Sequence, residues 1–381
     1  MKLAIVGLGQ CGGRIADEFL RVQMRTHGLR GLDIIVEALA ADTDANALAQ
    51  LATIRQDNRH RILLGTGQSH GRGTARSSSL GTRLMREEAA RIFESLTNNP
   101  RHTEADAVLI VAAAAGGTGS GGAPVLARAL KERFTDKPVC VLLVLPFEHE
   151  ESEPNAISNT SNCLDNCGAV ADAIIMCDNQ RYMSKNSSIK TSLQGINQQI
   201  IEPFINLLCS GEGRSSNRNT VSTTDLIFAL DSWTAVGYGR ASLPPVDFQR
   251  DDFTLRDVRG EQAVHAMNEA LASLSHACRP ADAYKALYLV SGSGKELGLN
   301  IFETLDSYVQ KTAPHAQRRG GGFPNNHSQL EVSVLLSNFG ETQQMKRLRE
   351  KARAISAEPE SAALSKSDRL LDEFGKDIPD L

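Results

Sequence analysis

Short apolar runs alternate with longer amphipathic stretches through most of the chain. Lys2–Val6 is a short apolar run, and Arg14–Met24 behind it carries apolar residues at helical spacing. The order repeats: strands are predicted at Leu32–Ala40, Arg61–Leu64, Val108–Val111, Val139–Leu145 and Ala173–Met176. Helices are predicted at Arg83–Leu96 and Asn155–Ala169, with another following Val108–Val111. Strands that are apolar throughout and alternate with helices predict an α/β fold with a Rossmann-like parallel sheet covered on both faces. Thr191–Cys209 then carries Leu193, Ile196, Ile200, Ile201, Phe204, Ile205 and Leu208, a broad apolar stripe that predicts a long helix at the centre of the molecule.

The pattern changes after Gly211–Thr224, a stretch rich in Ser, Asn and Arg that reads as a loop and a domain boundary. A helix is predicted near Asp225–Val236, followed by a smaller α/β unit. That unit has helices at Glu261–Ala277 and Ile301–Lys311, strands at Ala286–Ser291 and Gln329–Leu336, and Arg318–Pro324 as a connecting loop. Thr342–Ala354 reads as a basic amphipathic helix, and the chain from Glu358 onward is polar and charged. The division expected is 1–212, including the central helix, then 213–357, then a tail or peripheral helix over 358–381.

Composition narrows the function classes. The chain has 381 residues, 41% hydrophobic and 23% charged, with a formal net charge of −4, which gives no support to nucleic acid as a partner. No apolar run reaches the roughly 20 residues of a membrane helix, and the opening MKLAIVGLG looks like a strand and not a signal peptide. Seven cysteines, mostly in apolar or helical contexts, suggest reduced thiols and a cytoplasmic protein. Cys163 and Cys167 share a helix face, but no second ligand pair lies nearby, so no metal-binding residues are assigned.

The candidate chemistry lies in the glycine-rich junctions. Gly7, Gly9 and Gly12 satisfy G-x-G-x-x-G between a strand and a helix, so a dinucleotide site is one reading. The acids at Asp42 and Asp44 lie further on than the approximately 20 residues of that fingerprint, and no His/Lys/Tyr set for hydride transfer accompanies them. Gly116, Gly117, Gly119, Gly121 and Gly122 follow the Val108–Val111 strand, where missing side chains would let a backbone approach a ligand. Thr118 and Ser120 add hydroxyls, Pro124 suits the first turn of the next helix, and the free N–H groups there make a phosphate cradle. Gly65–Arg76 carries two arginines and reads as a lid over phosphates, and the acidic run Glu148–Glu153 could face a ribose, a cation or solvent.

Taken together, the two glycine loops resemble those of the tubulin/FtsZ superfamily of GTP-binding cytoskeletal proteins. Gly9-Gln10-Cys11-Gly12 with Ile15 is similar to tubulin's opening nucleotide loop. Ala115-Gly116-Gly117-Thr118-Gly119-Ser120-Gly121 is similar to the GGGTGSG tubulin signature, with alanine for its first glycine. The opening MKLAIVGLGQCGGRIADEF and the continuation GSGGAPVLA look closest to the CetZ branch. The resemblance implies a GTP-binding domain joined by a long central helix to a smaller α/β domain, with GTP or GDP and Mg²⁺ as cofactors. Gly9, Gln10, Cys11, Gly12 and Ala115–Gly121 would hold the phosphates; Asp42, Thr43 and Asp44 would lie near the γ-phosphate and magnesium; and Gly71–Arg76, with Gly73 and Thr74, would sense the γ-phosphate. Glu151 or Glu153 would contact the ribose, and Asn179 and Asn197 would read the guanine edge, for which an amide has both donor and acceptor.

The resemblance further implies head-to-tail self-assembly, with the loop before Asp225 entering the next subunit's pocket to orient the attacking water. FtsZ has N-x-D-x-x-D there, whereas this chain has Thr220-Val221-Ser222-Thr223-Thr224-Asp225, leaving Asp225 as the one acid in register; Asn219 lies one residue early. Asp225 also suits a helix-capping role. The expected activity is GTP hydrolysis, slowed by the loss of the second acid, and the alternative is an assembling or regulatory homologue with weak or no hydrolysis. A co-assembling homologue is a possible further partner. Glu373–Pro379 shares three residues with the FtsZ tail that docks membrane adaptors.

Overall fold

A computed structural model describes residues 1–183, 189–212, 220–242, 252–293, 297–325 and 329–357. The elements run β1 (Leu3–Leu8), α1 (Gly9–Arg30), β2 (Ile35–Asp42), α2 (Ala45–Ala49), β3 (Arg61–Leu63), α3 (Thr66–Ser69), α4 (Ser78–Thr97), β4 (Ala107–Ala113), α5 (Thr118–Lys131), β5 (Val139–Leu145), α6 (Pro154–Gly168) and β6 (Ala173–Asp178). They continue with α7 (Ile189–Ser210), α8 (Thr223–Ala229), β7 (Ser232–Ser242), α9 (Asp252–Ala272), β8 (Lys285–Gly292), α10 (Leu299–Thr312), β9 (Gln317–Pro324), β10 (Gln329–Phe339) and α11 (Gln343–Ala357). The expected segment 358–381 and Asn219 lie outside the described residues.

The α/β fold is as expected, but the strands form one sheet, in the order β3-β2-β1-β4-β5-β6-β7-β10-β8-β9. Pairing is parallel from β3 through β7, antiparallel on both sides of β10, and parallel again between β8 and β9. The first six strands have the Rossmann order, in which the direction of winding across the sheet reverses between β1 and β4; ligands settle at such a switch point, outside the carboxyl ends of the strands. Successive residues of β1 serve opposite cores. Leu3 and Ile5 pack with α1 and α7, whereas Ala4, Val6 and Leu8 pack with α4, α5, α6 and α11. The long helix α7 is central as predicted: Ile196, Ile200, Ile201, Phe204, Leu207 and Leu208 share a core with Phe19 and with Val236, Leu287, Leu289 and Leu335 of the second half.

Two strands were not legible in the pattern. The segment read as a helix through Val236 ends at Ala229, and β7 follows, joining the two halves of the sheet. Its glycines break the apolar run for a packing reason: a Cβ at Gly237 would lie 2.1 Å from the Ala270 carbonyl oxygen, and one at Gly239 2.1 Å from that of Ala266. The helix α9 lies directly on that bare backbone, with Ala263, Ala266 and Ala270 buried. Likewise Arg318–Pro324, read as a loop, lies within strand β9, where Gly320 leaves room for the Tyr288 ring and Gly322 for Phe302.

Gly237→Ala should therefore destabilise the protein by about 1–3 kcal/mol in urea unfolding, as overpacking does. Gly28→Ala, at an exposed α1 position with nothing within 4 Å of the added carbon, should instead gain about 0.5–1 kcal/mol. Equal effects at both positions would show that packing against α9 is not what selects glycine in β7.

Candidate functional site

At the carboxyl ends of β1, β4, β5 and β6 lies a cavity of about 390 Å³. Helix α1 begins at Gly9, directly after β1, and α5 begins at Thr118; neither has a side-chain cap or an acid in its first turn. Their first N–H groups are thus left for a ligand, and the positive ends of both helix dipoles favour an anion there. The expected first turn of the second helix therefore starts earlier than Pro124, which sits in its second turn, and Gly119, Gly121 and Gly122 are helical.

Most of the glycines serve packing, not ligand approach. A Cβ at Gly7 would lie 2.3 Å from the Gly12 carbonyl oxygen, and one at Gly12 2.1 Å from that of Val111, so α1 lies against β1 and β4 at backbone contact. A Cβ at Gly121 would meet the Ser78 carbonyl oxygen at 2.1 Å and one at Gly117 the Thr74 hydroxyl at 2.1 Å, which seats α4 and the loop before it on α5. Gly116 has open space around it and faces the cavity.

Of the predicted residues, Gly9, Gln10, Cys11, Asp42, Asp44, Ala115, Gly116, Gly117, Thr118, Gly119, Asn179 and Asn197 line the cavity together. Gly12, Gly73, Thr74, Ser120 and Gly121 stand behind it. Ser120 donates to the Gly116 carbonyl, and the Gly73 N–H donates to the Thr43 carbonyl at 3.0 Å. Thr43 and Thr118 bridge through their hydroxyls at 2.8 Å, tying the second loop to the cradle. Burial pushes the Cys11 thiol up to about 12, so it stays neutral.

Glu151 is a correction. It turns away from the cavity, is buried, and takes both arms of Arg347 at 2.8 Å and Lys351 at 3.0 Å. Its neighbour Glu150 lines the cavity instead, accepting from the Phe147 N–H at 3.1 Å. Glu153, the other candidate, pairs with Arg76. Sequence reading did not single out Glu150 within its acidic run and missed Arg14 and Phe147 as lining residues, and Asn159, whose amide donates to the carbonyls of Arg76 (2.8 Å), Ala115 (3.2 Å) and Gly116 (3.2 Å). Arg76 reaches the cavity from a loop in which Ala75 and Arg76 both have positive φ, a strained conformation held by these contacts.

Asp225 is elsewhere. It caps α8 reciprocally with Ser222, accepting from its N–H at 3.0 Å and its hydroxyl at 2.7 Å, and lies 3.4 Å from Arg319. The strand after α8 starts at Ser232, opposite Ala173, the first residue of β6, whereas Asn179 follows the last. Asp225 thus sits at the amino-terminal edge of the sheet, separated from the cavity by the six-residue length of β6, roughly 17 Å.

A sheet of Rossmann order with two uncapped helix starts converging on one cavity is the arrangement of a nucleotide-binding protein. The profile of the Tubulin/FtsZ family, GTPase domain, matches residues 2–186, and that of the tubulin-like CetZ C-terminal domain matches residues 186–354. The chain belongs to the tubulin/FtsZ family, in its CetZ branch. It is 29% identical over 346 residues to the tubulin-like protein CetZ of Pyrococcus abyssi, covering 90% of this chain and 87% of that one. Among solved structures, it resembles the GDP-bound monomer of CetZ1 from Haloferax volcanii, with TM-score 0.80, 26% identity and coverage of 93% of this chain and 100% of that one. It resembles equally the GTPgS-bound protofilament of CetZ2 from the same organism, with TM-score 0.81, 26% identity and coverage of 93% and 98%.

Burial pushes the Asp42 carboxyl from an ordinary 3.8 up to about 6, although the N–H groups of Thr43 (2.7 Å) and Asp44 (3.3 Å) donate to it. An acid raised in this way weakens the fold as it ionises. Its stabilising contribution is complete below pH 3.8 and lost once pH has risen through 6. The stability of nucleotide-free Asp42→Asn relative to wild type should therefore rise by up to about 3 kcal/mol between pH 3.8 and pH 7. Urea unfolding of both proteins across that range checks it, and a constant difference would contradict the burial of the charge.

Proposed function

We propose that this protein binds GTP with magnesium, assembles head-to-tail with its own copies, and hydrolyses GTP where two subunits meet. The observation that carries this reading is the placement of the cavity and Asp225 on opposite edges of one sheet. Stacking one subunit on the next along the strands would bring Asp225 of one onto the cavity of another. Such a contact is heterologous and does not close, so it generates a filament. The relative CetZ2 described as a GTPgS-bound protofilament supports assembly in the triphosphate state.

Within the cavity, the N–H groups of α1 and α5 would hold the phosphates and Arg76 would sit beside the terminal one. Asn179 and Asn197 would face the guanine edge with both donor and acceptor. Asp42 and Asp44 would lie beside a magnesium ion. No three His, Cys, Asp or Glu side chains converge among the described residues, so phosphate oxygens would supply much of its coordination. Asp225 would orient the water, a task for positioning and electrostatics.

One observation favours a slower variant of this reading. The Asp225 carboxylate is already engaged by Ser222 and Arg319, so it must give up part of that capping to meet a water. Asp225→Ala should leave nucleotide binding intact and reduce assembly-stimulated phosphate release roughly 100-fold or more, the scale of a lost catalytic base. Light scattering recorded together with phosphate release measures both. Mixing Asp225→Ala with a Gly116→Val variant, whose cavity is blocked but whose Asp225 is intact, should restore turnover. If the mixture stays inactive, catalysis across the interface is wrong; if filaments persist without phosphate release in wild type, the assembling but non-hydrolysing reading takes its place.

A further inference from the structure

Arg347 of helix α11 lies 196 residues beyond Glu151, yet one face of that helix touches two of the loops that line the cavity. Gln344, Arg347 and Lys351, spaced three and four residues apart, share that face. The Gln344 amide donates to Asp178 Oδ2 at 2.6 Å, and Asp178 immediately precedes the cavity residue Asn179. Arg347 grips Glu151 with two bonds of 2.8 Å and Lys351 adds a third at 3.0 Å, and Glu151 immediately follows the cavity residue Glu150. The helix itself is fixed by a separate apolar stripe, in which Met345, Leu348 and Ala352 are buried in the core shared with α6. The contacts are therefore made from a firm base.

These are not ordinary surface ion pairs. Glu151 is 3% exposed, and its carboxylate is held below the usual range by Arg347 and Lys351 against the opposing effect of burial. A forked arginine contact fixes direction as well as charge. Withdrawing it would leave a buried carboxylate under-compensated, which the chain relieves by moving the loop. The same loop carries Phe147 and Glu150 into the cavity, and Glu150 in turn lies 3.4 Å from Arg76.

We propose that Gln344, Arg347 and Lys351 are positioning residues by which α11 holds the Glu150 and Asn179 loops against the bound nucleotide and sets its release rate. This rests on the reading of the cavity as a guanine-nucleotide site. It makes retention of nucleotide dependent on the last helix of the CetZ-specific region, whose matched profile ends at residue 354.

The test is the stopped-flow release rate of a fluorescent (mant) GDP from dilute protein, alongside a thermal melt. Arg347→Ala and Gln344→Ala should each release it roughly 2- to 30-fold faster, the span of coupling carried by residues outside a ligand's contacts. Arg347→Lys, which keeps the charge but not the fork, should fall between. Arg349→Ala removes an arginine from the same helix that pairs with Asp165 and Glu341, and should release at the wild-type rate. Should Arg347→Ala fail to fold, the Glu151→Gln/Arg347→Ala double variant removes the orphaned charge and should still release faster. Unchanged release in the Arg347 and Gln344 variants overturns the proposal, as does equal acceleration by Arg349→Ala, which would mean general loosening of α11. A wild-type protein that takes up no mant-GDP overturns the reading of the cavity itself.

Discussion

Backbone-to-backbone approach at the carboxyl ends of β1 and β4 is the constraint from which the cavity follows. Two helices must start directly off two adjacent strands with their amide ends aimed at one point, and no side chain can stand between them. Gly7, Gly12, Gly119 and Gly121 each occupy a place where a Cβ would lie within about 3.2 Å of a carbonyl oxygen. Their bareness brings α1, α4 and α5 close enough to share the cradle, and only then does the open ground at Gly116 become a wall of the cavity. Electrostatics comes second: two dipoles and unsatisfied amides favour an anion, while the buried Asp42 carboxyl sits in surroundings that disfavour its own charge.

A second level of organisation comes from the continuity of the sheet. Strand β7 pairs with β6 on one side and β10 on the other, and α7 packs its apolar stripe against both halves. The buried amide of Asn206 on α7 donates to Glu331 of β10 at 2.6 Å and adds a polar tie between the halves. A displacement of the second half is thus transmitted to the strand ends at the cavity through a shared ladder and a shared helix. The α11 contacts to Asp178 and Glu151 follow the same logic on the opposite face of the sheet. Cavity and second half are thus joined through one sheet and one helix.

The balance at Asp225 follows from local chemistry. A helix of seven residues needs its first amides capped, and Ser222 with Asp225 supplies both halves of that cap. Asp225 is the third residue of this short helix, so under the proposed function one carboxylate would serve both folding and water orientation. With no second acid in register, nothing in sequence divides the two duties.

What the sequence alone determined was whatever depends on near neighbours: the run of parallel strands, the long central helix, and both glycine junctions, with twelve of the singled-out residues lining one cavity. Spacing and hydrophobic period record these directly, because a strand or an amphipathic helix shows its buried face within a few residues. Only the tertiary structure decided which way ambiguous residues point. Glu150 and Glu151 are adjacent acids in an acidic run, and which one faces the cavity depends on Arg347 arriving from 196 residues away. Strands β7 and β9 read as helix and loop because their glycines answer to Ala270 on α9 and to the ring of Tyr288, partners that no local pattern reveals. The edge on which Asp225 lies was fixed in the same way, by the pairing of β7 with β6, since the direction of a segment relative to a distant cavity is a property of the assembled sheet.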